Sequence, residues 1–538
     1  MSILSSLITL PLIIIHLITA NPGEDASRQV NITWHASQSG TKLYLTTIAS
    51  DTEHHSSTCN TEHHSGIIQT SHHEKITERQ KCLKGDTQTV IPSKIIEINP
   101  TEELWSYDKG DSLFQQPRYI CRVKLDSLQP GTKYYYSIAR TSESTKSTVV
   151  SAVSADSADS DCLELRSRNS ASTNITEICW RSFTTASGPQ TKEWSFLAFA
   201  DFQHPFNETT HKTIAAGLTL TDNDSHSSRH ISGATNKEAT SAYSDNKPSN
   251  VPAGNTEGPA SLHSNTHNNA SSSTGNNQLL LCSGDITGTA ANESEWRWAL
   301  DNPVMSDLIF AGAPGDHEYW GIKPEGEKHI PQMPSNLTYN AILTNPQNGC
   351  PEYRNSNYYF YYNNVLFVSL NCGDSNTYLC PQFIREADWF RKTILPLKGT
   401  YDYLVVFGHK SIYGSYQEDS GVRKYFTPLW YPVFDQAGVD LVVSGHDHMY
   451  SRTFALKGDA RVSAKGSGTW YLDLGSSGNK YRSPDEGLYK DGLHAKVFDL
   501  KTNPKTLGAK IFVSEKEMKV IVFDENGETF DSFTILKK

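Results

Sequence analysis

No dense run of lysine or arginine occurs in this sequence, and its formal charge at pH 7 is −11. Binding to a polynucleotide rests on cationic side chains that neutralise phosphates, so a nucleic-acid scaffold is disfavoured as a partner. Beyond residue 20 there is no apolar run long enough to span a bilayer, which takes about 20 residues. The one long apolar stretch, residues 3–19, is broken only by Ser, Thr and His and lacks a preceding Lys or Arg. It is short for a spanning helix and ends at the small Ala20, so residues 1–20 are expected to be a signal peptide, with an uncleaved anchor as the alternative. After cleavage no transmembrane segment remains, and the destination is outside the cell or the lumen of the lysosomal or vacuolar pathway.

What is present is enough apolar residue for real cores, at 37% hydrophobic and 10% aromatic, in a chain of 538 residues that is too long for one core. Two domains are expected. Nine cysteines suit an oxidising compartment. Cys282, in the apolar run from Leu279, is the candidate for a free buried thiol. Short separations make Cys59 with Cys82, Cys162 with Cys179, and Cys372 with Cys380 conceivable pairs, leaving Cys121 and Cys350 undecided. Sequons at Asn31, Asn174, Asn207, Asn223, Asn269, Asn292 and Asn336 agree with secretion and a glycoprotein.

Residues 28–187 read as short strands between turn signals, for example Val30 to Trp34 and Lys42 to Leu45. Leu128-Gln-Pro-Gly-Thr-Lys-Tyr-Tyr-Tyr136 adds a Pro-Gly turn and an aromatic strand, so a β-sandwich ending near Gly188 is expected. Its insertion at 52–75 carries His54, His55, His63, His64, His72 and His73 among Ser and Thr. Without strand or helix spacing these define no coordination geometry, and a solvated insertion is preferred over a metal site. A second polar segment, 207–278, holds almost no large apolar residues and is expected to be disordered.

From residue 193 apolar runs alternate with amphipathic segments, which reads as an α/β domain over 193–538. Five of those runs end in metal-ligand chemistry. Phe196 to Ala200 delivers Asp201, and Leu279 to Cys282 delivers Gly284-Asp285. Leu308 to Ala311 leads to Gly315-Asp316-His317-Glu318, Tyr403 to Phe407 delivers Gly408-His409, and Leu441 to Val443 delivers Gly445-His446-Asp447-His448. The carboxyl ends of strands in an α/β sheet line one crevice, so these segments can converge. Carboxylates and imidazoles without thiolate suit Zn, Mn or Fe, and a carboxylate can bridge two cations. Tyr413, Tyr450, Arg452 and Asn371 also follow strands but are expected to pack or to pair with carboxylates.

With these motifs in order, the chain resembles the calcineurin-like metallophosphoesterases and, within them, the purple acid phosphatases. The resemblance covers most of residues 120–538, from Leu128–Tyr136 through Val439–Thr453 and Trp470–Gly478 to the closing β pattern at 519–535. It implies a fibronectin type III-like β-sandwich followed by a four-layer α/β/β/α metallophosphoesterase sandwich. It further implies two divalent or mixed-valence metal ions (Fe, Zn or Mn). Asp201, Asp285 and His448 would hold the first, and Asp285, Asp316, His409 and His446 the second, with Asp285 bridging. A metal-bound hydroxide would attack the phosphorus of a small phosphorylated substrate in line, and His317 would stabilise charge or protonate the leaving alkoxide.

Three positions depart from the family pattern. Gly288 stands where the purple enzymes have the tyrosine that binds ferric iron, Asp316 replaces an asparagine, and Gln203 occupies the usual Gly or His position. Gln203 is a possible weak ligand to the first metal through its amide oxygen. The expected activity is therefore a secreted, non-purple, acid phosphatase-like hydrolase of phosphoric esters. The alternatives are a binding or adhesion protein that keeps the fold without turnover, and a phosphodiesterase or nucleotide hydrolase. Oligomeric state is left open.

Overall fold

The computed structural model describes residues 13–47, 95–105, 117–141, 148–149, 180–203, 207–222, 279–321, 336–371, 381–416, 421–463 and 466–538. The six histidines of the 52–75 insertion and the cysteines at 59, 82, 162, 179, 372 and 380 lie outside them. So do sequons Asn174, Asn223 and Asn269. Cys121, Cys282 and Cys350 are buried free thiols.

Among the described residues nine strands come first. They are β1 (Ile15–Pro22), β2 (Val30–Ala36), β3 (Thr41–Thr47), β4 (Ile96–Ile98) and β5 (Thr101–Trp105), then β6 (Arg118–Leu125), β7 (Lys133–Thr141), β8 (Thr148–Val149) and β9 (Arg181–Thr184). One sheet runs β1-β2-β6-β5 and the other β4-β3-β7-β8, with β9 also on β7. Trp34, Leu43, Leu45, Tyr136 and Phe183 are buried between them. The Pro130-Gly131 turn feeds β7, and Gly188 (φ 96°) closes the unit at a conformation that Cβ-bearing residues rarely adopt.

β1 overlaps the stretch expected as a signal peptide. All its residues are buried, and it pairs with β2 from Ile15–Ala36 to Pro22–Val30. It also fastens the sandwich to the rest of the chain. Leu17 N–H donates to Asp301 Oδ2 (3.1 Å), Thr19 Oγ1 to the Ile342 carbonyl (3.0 Å), and Asn21 Nδ2 to the Phe310 carbonyl (2.9 Å). A cut after Ala20 would remove most of this strand, so the sandwich begins at β1 and not at residue 28. Asn31, expected as a sequon, is buried in β2 with its amide donating to the Pro22 and Thr344 carbonyls, which leaves no room for a glycan.

The remaining elements are β10 (Trp194–Phe199), α1 (Glu208–Thr219), β11 (Leu279–Cys282), α2 (Glu293–Leu300), β12 (Ile309–Gly312) and α3 (Leu337–Ile342), then β13 (Tyr358–Tyr362), β14 (Val365–Leu370), α4 (Pro381–Trp389), β15 (Tyr403–Lys410) and α5 (Thr427–Ala437). They continue as β16 (Leu441–Gly445), β17 (Tyr450–Thr453), β18 (Leu456–Lys457), β19 (Ala460–Arg461), β20 (Trp470–Asp473), α6 (Glu486–Tyr489), β21 (His494–Phe498), β22 (Leu507–Val513), β23 (Glu517–Asp524) and β24 (Thr529–Leu536). A six-stranded sheet runs β12-β11-β10-β22-β23-β24, and a seven-stranded sheet β13-β14-β15-β16-β20-β17-β21.

These strands are apolar on both faces because both faces are covered. Phe196, Leu281, Phe367, Val405, Val443 and Val520 alternate into the space between the sheets, where Phe196 and Phe367 meet edge to face at 5.1 Å. Truncating such a ring to alanine typically costs about 3–5 kcal/mol. The residues between them, Leu197, Leu280 and Phe310, point outward under Ile214 of α1, Trp296 of α2 and Tyr339 of α3. On the other sheet Leu366, Leu404 and Val442 lie under Phe383 of α4 and Trp430 of α5. Helices thus flank two stacked sheets, the layer order expected.

The segment expected to be disordered from residue 207 begins instead as α1. Asn207 caps it by accepting from Thr209 N–H, and Ile214 is buried. At Gly217 a Cβ would collide with Phe523 and Leu197, so glycine sets the close approach of this helix to the sheet.

Candidate metal centre

β10, β11 and β12 are parallel neighbours, so the loops after them emerge side by side carrying Asp201, Asp285 and Asp316-His317. β15 and β16 are parallel neighbours in the facing sheet and carry His409, His446 and His448. Carboxylates therefore come from one sheet and imidazoles from the other. The backbone is strained where they meet: Asp201 (φ 57°), Asp285 (53°), His446 (75°) and His448 (52°) all take the left-handed region. Gly445 and Gly315 permit the contact, since a Cβ on either would fall on the carboxylate of Asp201 or Asp285.

One subset is already arranged for a cation. His409 Nε2 lies 3.2 Å from Asp285 Oδ2 and 3.1 Å from Asp316 Oδ1, and His446 Nδ1 lies 3.2 Å from that same Asp316 oxygen. The two imidazole nitrogens are 3.1 Å apart. Donors about 2.0–2.1 Å from a tetrahedral ion sit about 3.4 Å from one another, close to this packing. The other nitrogen of His409, Nδ1, donates to the Ser283 carbonyl (3.0 Å), so Nε2 is the nitrogen that faces the site. Among the described residues Asp316, His409 and His446 thus gather as one group of three that could hold an ion, and Asp201, Asp285 and His409 as another.

The site is largely buried, and its charges are set by burial and by one another. Burial pushes the Asp201 carboxyl up to about 7, with His409 opposing and Asp285 adding. Burial also works against ionisation of Asp285 and Asp316, but the histidines around them prevail, holding Asp285 below the usual carboxylate range and Asp316 well below it. Burial lowers His409, yet Asp285 and Asp316 carry it well above the usual imidazole value. Glu318 accepts from the N–H groups of Asp285 (2.9 Å), Gly315 (2.7 Å) and Thr287 (3.1 Å), tying two of the ligand loops together. Burial, with Asp285 adding, pushes it up to about 8.

The first-metal position is different. His448 Nε2 is 3.7 Å from Asp201 Oδ1, and the amide of Gln203 lies among these donors. Lys480 Nζ donates to Gln203 Oε1 (3.1 Å), which turns Nε2 toward Asp201 Oδ1 (3.4 Å), His448 Nε2 (3.3 Å) and Asp285 Oδ2. The expectation that Gln203 presents its oxygen is thus not the arrangement found, and the reason is Lys480, which sequence reasoning missed. Arg482 lies beside it, donating to the His446 carbonyl (3.2 Å) and stacking on Tyr416. Burial first, then these two cations, depress His448 well below its ordinary value.

His317 is buried beside the carboxylates, with Nε2 3.7 Å from Asp285 Oδ2 and its ring against Trp320, centroids 3.6 Å apart. Gly288, the departure from the family pattern, offers its carbonyl to His317 Nδ1 at 2.6 Å. The residues set aside earlier are structural. Tyr450 and Arg452 both donate to Asp531 (2.7 and 2.8 Å), Asn371 is buried against Tyr319 and Gln382, and Tyr413 packs on Tyr471.

Residues 257–450 match the family model of the calcineurin-like phosphoesterases, an interval that holds every candidate ligand except Asp201 and Gln203. The fold is similar to that of the purple acid phosphatase PPD1 isolated from yellow lupin (Lupinus luteus) seeds. That likeness has a TM-score of 0.57 at 11% identity and covers 97% of this chain and 74% of that one. Uncharacterized proteins of two Mycobacterium tuberculosis strains, CDC 1551 / Oshkosh and ATCC 25618 / H37Rv, are each 39% identical over 57 residues. The match spans 11% of this chain and 11% of the length of those relatives. Among the described residues no helix is long and apolar enough to cross a membrane.

Proposed function

We propose that this chain, a member of the calcineurin-like metallophosphoesterase superfamily, is an acid phosphatase-like hydrolase of small phosphoric esters. The observation that carries this reading is the packing of His409 against Asp285 and Asp316 and of His446 against Asp316, each at 3.1–3.2 Å, with His409 locked to Ser283. The N-terminal β-sandwich is read as fibronectin type III-like, and its role is to buttress the metal-bearing domain through β1. Asp201, Asp285 and His448 would hold a first metal ion, and Asp285, Asp316, His409 and His446 a second. Bound cations there supply Lewis acidity and neutralise charge on the phosphoryl oxygens, and Fe, Zn and Mn all suit this donor set.

The chain's own residues do the rest. The Ser283 carbonyl fixes the His409 tautomer, and Glu318 orders the loops that carry Asp285 and Asp316. His317, with Nδ1 committed to Gly288, has only Nε2 free to hold a proton for the departing alkoxide. Lys480 and Arg482 line the first-metal side and offset the extra carboxylate of Asp316 for an anionic substrate. The test is metal analysis of purified protein together with hydrolysis of mono- and diesters from acidic to neutral pH. Activity abolished by chelation and by His446→Ala supports the reading; absence of both bound metal and hydrolysis overturns it. Relative rates on mono- and diesters decide between a phosphatase and a phosphodiesterase.

A second reading, a binding protein without turnover, draws on the Gln203 amide nitrogen that faces the first-metal donors. One metal per chain with no hydrolysis would favour it.

A further inference from the structure

We infer that Glu295 is a positioning residue for His317, acting through the loop at Gly288. This rests on the reading of His317 as the group that serves the leaving oxygen. Glu295 is the third residue of α2 and buried. One carboxylate oxygen, Oε2, accepts from the N–H groups of Gly288 and Thr289, each at 2.7 Å. The other, Oε1, accepts from Asn292 Nδ2 (3.0 Å), whose own Oδ1 caps α2.

With its N–H held from below, the loop presents the Gly288 carbonyl to His317 Nδ1 at 2.6 Å. A carbonyl oxygen only accepts, so Nδ1 carries the hydrogen and Nε2 is the position that exchanges a proton. Two further bonds tie the loop to the turn that bears His317: Ala290 N–H donates to the His317 carbonyl (3.2 Å) and Ala291 N–H to the Trp320 carbonyl (3.3 Å). Trp296 Nε1 holds the Ala290 carbonyl (2.9 Å), and Trp320 lies against the imidazole face. The ring therefore has its rotation set by Trp320 and its tautomer set by Gly288. Both settings trace to a loop whose conformation depends on one buried carboxylate.

The step that Glu295 governs is the delivery of a proton from His317 Nε2 to the leaving oxygen as the P–O bond breaks. Such help matters most for a basic leaving group and least for an acidic phenol. The experiment is a series of phosphate monoesters running from p-nitrophenyl to alkyl, assayed with the metal-loaded full chain, with log kcat plotted against leaving-group pKa. E295A is expected to steepen the slope, so that the ratio of rates on p-nitrophenyl and alkyl phosphate rises by at least about tenfold. E295Q, which keeps one oxygen for both N–H groups, should restore a near wild-type slope.

If E295A fails to fold, E295D takes its place, because withdrawing the carboxylate by one methylene breaks the same two bonds. A slope unchanged in the folded variants overturns the proposal, as does an E295Q slope no nearer to wild type than theirs. In parallel, histidine-labelled protein reports the His317 Nδ1–H by 15N NMR, assigned with H317A, and that signal should be lost in E295A or E295D. If the wild-type chain hydrolyses no ester, the phosphoesterase reading fails on its own. The NMR arm still decides whether Glu295 sets the imidazole tautomer.

Discussion

Acid should loosen the seam between β2 and α3 through one histidine. His35 of β2 is fully buried there, and its Nε2 donates to the Ala341 carbonyl of α3 (3.0 Å). Burial first, then the nearby His16 and Arg118, depress it from 6.5 to about 3, against the help of Ala341 and Glu293. When the chain unfolds His35 regains its ordinary value, so between pH 6.5 and about 3 the unfolded state binds a proton that the folded state refuses. Stability therefore falls as pH falls through this window. At pH 4.5, two units below the unfolded value and still above the folded one, the loss is about 3 kcal/mol at about 1.4 kcal/mol per unit. The assay is guanidinium unfolding of wild type and His35→Gln at pH 7.5 and 4.5. Gln preserves a donor for Ala341 but does not titrate, so H35Q should lose about 3 kcal/mol less than wild type over that interval. Equal losses in the two proteins would refute the assignment. Glu293, held down to about 2 by His16 and Arg118 against its burial, acts lower still. Its contribution is complete above pH 4.5 and fades only as pH falls toward 2.

Other expectations are direct. Asp316→Ala and His446→Ala should each lower metal content, read by elemental analysis, and lower kcat by at least about a hundredfold, whereas Arg452→Ala, far from the ligands, should leave metal content unchanged. Lys480→Met removes the donor that holds Gln203 Oε1, so the amide is free to turn its oxygen inward and the first-metal affinity, read by titration calorimetry, should rise. A chain begun at Asn21 lacks most of β1 and should give little soluble protein, while N-terminal sequencing of the mature protein should find residues 15–22 retained. Mass spectrometry should find Asn31 free of glycan.

The gathering of these side chains was legible in the sequence because each follows an apolar run within a few residues, and parallel strands bring such ends together whatever separates them in the chain. Even the long polar segment after residue 222 does not disturb this, since β10 and β11 are adjacent in the sheet. Glu295 also left a trace: Asn292 with a glutamate three residues on is a helix-start signature. Its actual use was not legible, because the carboxylate bonds the loop at Gly288 and Thr289 and not the cap backbone. β1 was misread for a plain physical reason. A short apolar segment carries the same composition whether it is a leader or a strand buried on both faces, and only its partners, β2 and the carbonyls of Phe310 and Ile342, distinguish the two.

Composition and spacing by themselves determined the chemistry of the centre: three carboxylates, three imidazoles, and glycines beside them. Only the tertiary structure decided that the carboxylates come from one sheet and the imidazoles from the other. It also decided that Lys480, 277 positions from Gln203 in the chain, turns that amide around. Hydrogen-bond direction depends on which partner arrives, and partners so far apart in sequence are brought together by the fold alone.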